Sequence, residues 1–322
     1  MIQGFFSLLP ETVLAAVERA GSRCTGRVSA LGSLENRVYD VELESGQRVI
    51  AKFYRPGRWD RDTIGDEHRV LAALGEHEIV TAAPLSFPDG ETLARTDDGI
   101  WFALFPRLAG RSPDEIGPAE LGELGRLIAR IHNVTSALGL RHRPALSPAS
   151  YGTDSLAVLL DSGFVPAAMA TRYGDAVRQL VAIGERRFAS VPVFPVHADC
   201  HRGNLLAGAD AHGRPCWVFL DFDDLAVAPA VQDLWLLLPA RPPDCVEHVD
   251  AFIEGYQTFR AFDRASLALV EVLRGLRYVR YAAWIASRWQ DPSFPRAFPG
   301  WGGERYWAEQ LADLHEQLEL IE

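Results

Sequence analysis

The chain has 322 residues, which is long enough for two lobes. Of these residues 48% are hydrophobic and 23% are charged, a composition that argues against intrinsic disorder. Its formal net charge is −11 and lysine is scarce, so we expect no nucleic acid and no anionic membrane surface as a partner. No run approaches the about 18 uninterrupted apolar residues of a membrane-spanning helix, so we predict no membrane association.

The N-terminal segment and the cysteines both favour an intracellular protein. Residues 1–21 carry no basic leader and read as a short apolar stretch followed by an amphipathic helix, which is not the pattern of a signal peptide. The four cysteines include no C-x-x-C pair and no metal-ligand spacing. We therefore expect free thiols and a cytoplasmic location, and the expected oligomeric state is a monomer.

The first hundred residues have the patterns of a β-rich segment. Residues 38–43 alternate apolar and polar side chains. A turn at residues 44–47 follows, and residues 48–54 form a second alternating run, which together predict a β-hairpin. Residues 60–74 have the apolar spacing of a helix. Residues 100–105 form an apolar run that Pro106 ends, as in a buried strand.

Beyond residue 106 the patterns become mainly helical. The predicted helices are residues 120–132, 156–160, 167–188 and 266–289. Residues 193–224 read as short strands and loops and carry many of the informative polar residues. We therefore predict an α+β fold with two lobes: a small β-rich nucleotide-binding lobe over residues 1–106 and a larger, mostly helical catalytic and substrate lobe over residues 107–322.

The strongest chemical signal is an Asp/Asn loop followed by an acidic turn. Residues 197–204 read HADCHRGN, and residues 219–224 read FLDFDD. Phosphoryl transfer needs a carboxylate near the acceptor hydroxyl and oxygen ligands that hold magnesium against the phosphates. This spacing predicts Asp199 as the base and Asn204 and Asp221 as ligands of Mg²⁺ rather than zinc. The alternative is that these residues only cap loops, as Asp and Asn often do.

A second signal is a lysine within an apolar strand. Lys52 lies on the same strand face as Ile50, where burial of an ammonium group is unfavourable unless an anion meets it. Glu67 similarly interrupts the apolar stripe of the predicted helix at residues 60–74. A pair of Lys52 with Glu67 would present the ammonium group to phosphates. The alternative is an ordinary salt bridge on an exposed sheet face.

The segment before the hairpin is a weaker signal. Residues 31–36 lie where a phosphate-covering loop would be expected, but they contain one glycine, and no G-x-G-x-x-G or Walker motif is present in the chain. The residues alone favour a simple turn.

Taken in order, these motifs resemble the aminoglycoside/choline kinase-like branch of the protein kinase fold. In that branch His-x-Asp-x-x-x-x-Asn forms the catalytic loop, and an Ile/Leu-Asp-Phe-Asp type segment provides the second metal ligand. Further segments are similar to the bacterial stress response kinase A family. They are residues 35–39 (ENRVY), 52–56 (KFYRP) with Arg58-Trp59, 230–235 (AVQDLW) and 289–295 (WQDPSFP), within a resemblance that covers about residues 30–310.

The resemblance implies a Ser/Thr protein kinase of the bacterial cytoplasm that acts in a stress response and uses ATP and Mg²⁺. It implies Asp199 as the proton acceptor and Asn204 and Asp221 as Mg²⁺ ligands. Lys52, paired with Glu67, would contact the α- and β-phosphates. The chain lacks the Ala-Pro-Glu segment and the activation loop of ordinary protein kinases, which leaves the protein acceptor and its regulation open.

The same resemblance implies roles for residues outside the catalytic loop. Ser33 would lie against ATP in the glycine-poor loop, and the hinge containing Phe105 and Arg107 would receive the adenine. Asp233 would brace the catalytic loop through its backbone. Asp223 would be an extra metal or acceptor contact.

Two other functions stay open on the sequence. The first is a small-molecule hydroxyl kinase of the aminoglycoside, choline or homoserine type, because the same machinery serves either acceptor. The second is a nucleotide-binding regulator without catalysis, which predicts the loss of at least one of four residues that are all present here: Lys52, Asp199, Asn204 and Asp221.

Overall fold

The computed structural model describes residues 2–6 and 8–322, which divide into two compact units. Unit 1 comprises Met1–Ile116, Leu127–Arg143 and Asp199–Leu225. Unit 2 comprises Gly117–Arg126, Pro144–Ala198 and Ala226–Glu322. The predicted division into lobes between residues 106 and 107 stays a prediction.

The strands of the described residues occur in two groups, at residues 24–111 and 193–229, and most of the helices lie outside these groups, as in an α+β protein. The strands are β1 (Cys24–Leu31), β2 (Arg37–Leu43), β3 (Arg48–Phe53), β4 (Ala94–Arg95), β5 (Trp101–Pro106), β6 (Gly110–Arg111), β7 (Val193–Val196), β8 (Leu205–Ala209), β9 (Pro215–Phe219) and β10 (Ala226–Pro229). The helices are α1 (Ile2–Phe6), α2 (Pro10–Glu18), α3 (Arg61–Glu76), α4 (Pro118–Ala137), α5 (Asp154–Asp161), α6 (Ala167–Phe188), α7 (Gln232–Trp235), α8 (Val246–Gln257), α9 (Val270–Arg288), α10 (Ser293–Ala297) and α11 (Glu304–Ile321).

Unit 1 is built around an antiparallel sheet with the strand order β1-β2-β3-β5-β4. The predicted hairpin and the predicted strand before Pro106 are confirmed as β2, β3 and β5. Apolar side chains of these strands are buried with Phe5 of α1 and Val13 of α2 in one core. A smaller antiparallel sheet has the strand order β6-β8-β9. Because Leu205 pairs with Phe219 in this sheet, the start of β8 lies next to the end of β9.

Helix α3 confirms the predicted helix and carries Glu67 on its buried side. It begins after Asp60, whose carboxylate accepts the backbone N–H of Thr63 at 2.8 Å and so caps the first turn. Ile64, Leu71 and Leu74 of this helix are buried in the core, as their spacing predicts.

Unit 2 is mainly helical, with β7 and β10 forming a short antiparallel pair. Two of its helices approach closely through glycine: a Cβ added at Gly255 of α8 would clash with the carbonyl oxygen of Gly122 of α4. The predicted helix over residues 266–289 instead begins as a 3₁₀-helix, Arg264–Leu269, and becomes α-helical at Val270. None of the helices in the described part of the chain has both the length and the apolar character needed to cross a membrane.

Candidate active site

Unit 1 contains a cavity of about 480 Å³ bordered by the β1–β2 loop, β3, α3, the segment after β5 and the loops next to β8 and β9. The predicted site residues that line it are Ser33, Lys52, Glu67, Phe105, Arg107, Asn204 and Asp221. Asp199 is not among the lining residues, but it is hydrogen-bonded to Asn204. The structure therefore brings together residues that are up to 188 positions apart, Ser33 and Asp221.

The predicted ion pair of Lys52 with Glu67 is present. Lys52 lies in β3, where its backbone is paired with Val38 of β2 and Ala103 of β5. Its ammonium nitrogen is 3.0 Å from Oε1 of Glu67, and the two residues are 6% and 1% exposed. The pair is therefore buried, and the alternative of a salt bridge on an exposed sheet face is wrong.

Two further carboxylates surround the same ammonium group. Oδ1 of Asp221 is 2.9 Å from the Lys52 nitrogen, and Oδ1 of Asp223 is 3.5 Å away. Burial on its own would lower the pKa of Lys52, but Asp221, Asp223 and Glu67 together raise the pKa of Lys52 well above its ordinary value. The lysine is therefore held charged inside the site.

Asp221 occupies an unusual backbone conformation at the end of β9. Its φ of 57° is in the left-handed region, which is unfavourable for a residue other than glycine and is often found at functional sites. Its side chain is 49% exposed, whereas those of Glu67 and Asp223 are 2% exposed. The backbone N–H of Leu220 donates to the carbonyl of Asn204 at 2.8 Å, so the Asp221 turn and the Asn204 loop are linked.

The side chain of Asn204 connects the two predicted roles of the catalytic loop. Its amide nitrogen donates to the backbone oxygen of Asp199 at 3.1 Å and to Oδ2 of Asp199 at 3.2 Å. This arrangement orients the amide so that its oxygen is the atom available as a metal ligand. Nδ1 of His201 accepts the N–H of Gly203 at 2.9 Å, so Nε2 carries the proton and faces Oδ2 of Asp199 at 3.3 Å.

The residues just before Asp199 are held by Asp233, as predicted. Within unit 2, the Asp233 carboxylate accepts the N–H groups of His197 at 2.8 Å and of Ala198 at 2.7 Å. Gln232 donates to the carbonyl of Ala198 at 2.7 Å. Ala198 has a φ of 69°, so these bonds maintain a left-handed conformation directly before Asp199.

The donor set fits a magnesium ion. Asn204 and Asp221 present an amide oxygen and a carboxylate to the same cavity. Mg²⁺ prefers oxygen ligands and is usually bound through one or two protein carboxylates together with phosphates and water. These two residues would hold the ion, with nucleotide phosphates supplying other ligands.

The structure does not support the predicted role of Asp223 as a metal or acceptor contact. Oδ2 of Asp223 is 2.6 Å from Arg58 and 3.2 Å from the amide nitrogen of Asn36. Although burial opposes ionisation, Arg58, Lys52 and Arg143 hold the pKa of Asp223 well below its usual range. Asp223 is thus a buried counter-ion of these cations and does not line the cavity.

The glycine-poor loop before β2 is held by an arginine. Nη2 of Arg55 donates to the carbonyl of Leu34 at 2.8 Å, and Nε donates to the carbonyl of Glu35 at 2.9 Å. Arg55 is 6% exposed, and its guanidinium group lies 5.0 Å from the centre of the Phe5 ring. Arg55 therefore fixes the backbone of the loop that contains Ser33, in place of the flexibility that a glycine-rich loop would have.

At the other end of the cavity, Arg107 is fixed by an acid that the sequence analysis did not identify. Nε of Arg107 donates to Oδ2 of Asp40 at 2.8 Å, and Oδ1 of Asp40 accepts from Arg48 at 2.8 Å. Asp40 is 5% exposed and lines the cavity. It was missed because it occupies a polar position of an alternating strand, where its charge looks ordinary.

Other missed residues surround the lysine. Asn36, Tyr54 and Arg58 belong to segments that carried the resemblance, but the sequence indicated no role for them. His68 and Arg143 have no sequence signal, because only the tertiary structure brings them near Tyr54 and Glu67.

Residues 27–270 match the phosphotransferase enzyme family. The chain is 34% identical over 319 residues to stress response kinase A of Escherichia coli strain K12, covering 99% of this chain and 95% of that protein. It is also 34% identical over 318 residues to the serine/threonine protein kinase RdoA of Salmonella typhimurium strain LT2, covering 98% and 94% of the two chains. The predicted resemblance is confirmed.

Solved structures share the fold at lower identity. An amicoumacin kinase, hAmiN, in complex with AMP-PNP, Ca²⁺ and Ami aligns with a TM-score of 0.74 at 19% identity, covering 96% of this chain and 93% of that one. A microcompartment-associated aminopropanol kinase aligns with a TM-score of 0.70 at 19% identity, covering 95% of both chains. These similarities confirm the predicted α+β, protein kinase-like fold class.

Proposed function

The chain belongs to the phosphotransferase enzyme family, and on this premise we propose that it transfers the γ-phosphate of ATP, with Mg²⁺, to serine or threonine hydroxyls of proteins. The observation that carries the proposal is the convergence of Lys52, Glu67, Asn204 and Asp221 on one cavity, with Asp199 bonded to Asn204. Positioning and electrostatic stabilisation are what phosphoryl transfer mainly requires of a protein.

In this proposal the nucleotide is held by residues along the cavity. Lys52, oriented by Glu67, contacts the α- and β-phosphates, and the braced loop containing Ser33 lies against them. Phe105, near the end of β5, and Arg107, which directly follows β5, receive the adenine. Asn204 and Asp221 would hold Mg²⁺, which neutralises charge on the phosphates when bound.

Asp199 is proposed as the base that receives the proton of the acceptor hydroxyl. As the acceptor oxygen forms its bond to the γ-phosphorus, the bond from that phosphorus to the β-phosphate oxygen breaks, and ADP leaves. The amide of Asn204 and the Nε2–H of His201 fix the position of the Asp199 carboxylate, because both face its Oδ2 atom. Positioning of this kind is a main source of rate enhancement.

A protein acceptor is favoured by the relatives that match over nearly the full chain, one of which is named a serine/threonine protein kinase. A small hydroxyl compound is the second candidate, since solved kinases of the same fold are named for amicoumacin and aminopropanol. A regulator without catalysis is disfavoured, because it would be expected to lack at least one of four residues that are all present: Lys52, Asp199, Asn204 and Asp221. We further propose that the protein acts as a monomer in the bacterial cytoplasm during a stress response.

The first test is transfer of labelled γ-phosphate from Mg·ATP to the protein itself, to a generic Ser/Thr protein substrate and to a panel of small hydroxyl compounds. Asp199→Asn should lower the transfer rate by about 10²- to 10⁴-fold, the usual contribution of a general base, with nearly unchanged nucleotide binding. Asp210→Asn is the matched control, because Asp210 caps the turn after β8 outside the cavity.

The acceptor that becomes labelled decides between the candidates. Label on Ser or Thr of a protein that disappears with Asp199→Asn supports the protein kinase. Label only on a small compound assigns a metabolite or antibiotic kinase instead. Nucleotide binding without any transfer would leave the regulator.

The metal assignment has its own test. Asp221→Asn should weaken binding of Mg·ATP, because the variant lacks the negative charge that would hold the ion. A calorimetric titration with and without Mg²⁺ measures this effect. Undiminished Mg·ATP affinity would remove Asp221 from the metal site.

A further inference from the structure

A chain of hydrogen bonds leads from the far side of α3 to Glu67. Oγ1 of Thr92 is 2.8 Å from Nδ1 of His68, and Nε2 of His68 is 3.1 Å from the hydroxyl of Tyr54. The Tyr54 hydroxyl is in turn 3.4 Å from Oε2 of Glu67. Thr92 and His68 also line a second cavity of about 540 Å³, which lies apart from the first, so the outer end of this chain is accessible from there.

The direction of these hydrogen bonds follows from their end point. An ionised carboxylate only accepts hydrogen bonds, so the Tyr54 hydroxyl donates to Glu67. Nε2–H of His68 then donates to the Tyr54 oxygen, and Nδ1 accepts from Thr92. This requires a neutral histidine; burial, with Lys52 and Arg143 nearby, lowers the pKa of His68 to about 3.

Glu67 needs such a donor because its carboxylate is almost fully buried. Oε1 is bonded to Lys52, whereas Oε2 faces the Tyr54 hydroxyl and, at 3.8 Å, the guanidinium of Arg143. A buried carboxylate oxygen is costly unless it is hydrogen-bonded, and it can rotate away from a bonded partner if it is not fixed.

We propose that Thr92, His68 and Tyr54 form a positioning relay that fixes Glu67 and, through it, the ammonium group of Lys52. The proposal rests on the proposed function for the role of Lys52 toward nucleotide phosphates. None of the three relay residues lines the cavity that contains Lys52, and their hydrogen bonds reach Lys52 through Glu67. The relay connects the candidate active site to the second cavity, which is lined by His68 and Thr92.

Tyr54→Phe tests the inner link, because it removes the hydroxyl and retains the ring. We expect the KM for Mg·ATP and its dissociation constant to rise about fivefold to tenfold, roughly the net contribution of one intramolecular hydrogen bond, while kcat changes less. Thr92→Val should shift both quantities in the same direction by a smaller factor. Thr92→Ser, which keeps the hydroxyl, should behave as wild type.

The double variant separates a relay from two independent structural effects. When Tyr54→Phe has already cut the link to Glu67, adding Thr92→Val should have no further effect on Mg·ATP binding. Multiplicative effects of the two substitutions, equal effects of Thr92→Val and Thr92→Ser, or unchanged binding with Tyr54→Phe would each overturn the relay. Thermal unfolding of each variant verifies that a folded protein is being compared.

Direct binding keeps this test separate from the test of function. If the wild type transfers phosphate but the variants bind Mg·ATP normally, the relay is wrong and the function stands. If the wild type transfers no phosphate to any acceptor but the binding data follow the predicted pattern, the proposed function fails and the relay stands. Absence of Mg·ATP binding by the wild type overturns both.

Discussion

Replacement of Asp233 should show how much the protein depends on the brace before the catalytic loop. The Asp233 carboxylate accepts the backbone N–H groups of His197 and Ala198, which are 1% and 3% exposed. A buried donor left without a partner costs about 1–3 kcal/mol. Asp233→Ala, which leaves two such donors, should therefore lower the free energy of unfolding by about 2–6 kcal/mol. Asp233→Asn, which keeps one acceptor oxygen, should lower it by roughly half as much.

Activity should fall further than stability alone explains. The left-handed conformation of Ala198 is unfavourable by about 1–2 kcal/mol, and only its bonded surroundings maintain it. Without the brace Ala198 can relax, and Asp199, the next residue, is displaced. We expect kcat of folded Asp233→Asn to fall by about 10- to 100-fold, since small misplacements of catalytic groups have effects of this size.

Urea unfolding and phosphate transfer at 25 °C measure the two effects separately. Asp210→Asn is the control, because Asp210 also accepts two backbone N–H groups, from His212 and Arg214. Those groups lie in a solvent-accessible turn where water can replace the lost bonds, so its stability loss should be smaller and its kcat unchanged. Wild-type kcat in folded Asp233→Asn, or equal stability losses in both variants, would refute this reasoning.

Further expectations concern helix packing, the loop brace and acid stability. Gly255→Ala should lower the unfolding free energy by about 1–3 kcal/mol, because its new Cβ would clash with Gly122. Gly65→Ala should raise the unfolding free energy by about 0.5–1 kcal/mol, because Gly65 lies within α3 and a Cβ there would meet open space. Equal shifts in thermal unfolding would contradict this expectation. Arg55→Lys cannot reproduce the two hydrogen bonds to the carbonyls of Leu34 and Glu35, at 2.8 and 2.9 Å. The affinity for Mg·ATP, measured by titration, should therefore fall by about threefold to tenfold. An unchanged affinity would argue against the brace. The pKa of Asp223 is held below its usual range, so its carboxylate stabilises the fold at neutral pH and this contribution is lost as pH falls below about 4. Stability measured between about pH 6 and pH 3 should therefore fall less in Asp223→Asn than in wild type, and parallel curves would contradict the assignment.

The sequence predicted those features that depend on local spacing. The β2–β3 hairpin, α3 and the pairing of Lys52 with Glu67 follow from periodicity and from charges that interrupt apolar faces. The spacing of Asp199, Asn204 and Asp221 predicts a metal-dependent phosphotransfer site, and the structure places Asn204 and Asp221 at one cavity with Asp199 hydrogen-bonded to Asn204. For these residues, local chemistry and tertiary position agree.

The features that could not be predicted depend on which charges meet in the tertiary structure. The resemblance implied Asp223 as an extra metal or acceptor contact, yet its carboxylate is bonded to Arg58 and Asn36, more than 160 positions away in sequence. Likewise, nothing in the sequence around His68 shows that it will be buried between Tyr54 and Thr92. Sequence spacing indicates the candidates, but burial and long-range partners decide which acid serves as ligand and which as counter-ion.

Exposure also explains which carboxylate is suited to exchange the lysine for a metal ion. Lys52 lies between Glu67, Asp221 and Asp223, and only Asp221 has a side chain that is half exposed. If phosphates took the Lys52 ammonium group, Glu67 and Asp223 would stay buried beside it, whereas Asp221 would become an unpaired anion at the edge of the cavity. A divalent cation bound there would compensate that charge as well as the charge of the phosphates. In the proposed mechanism the arrangement therefore favours binding of ATP together with Mg²⁺ over binding of ATP alone, with the metal held by the half-exposed acid of the three.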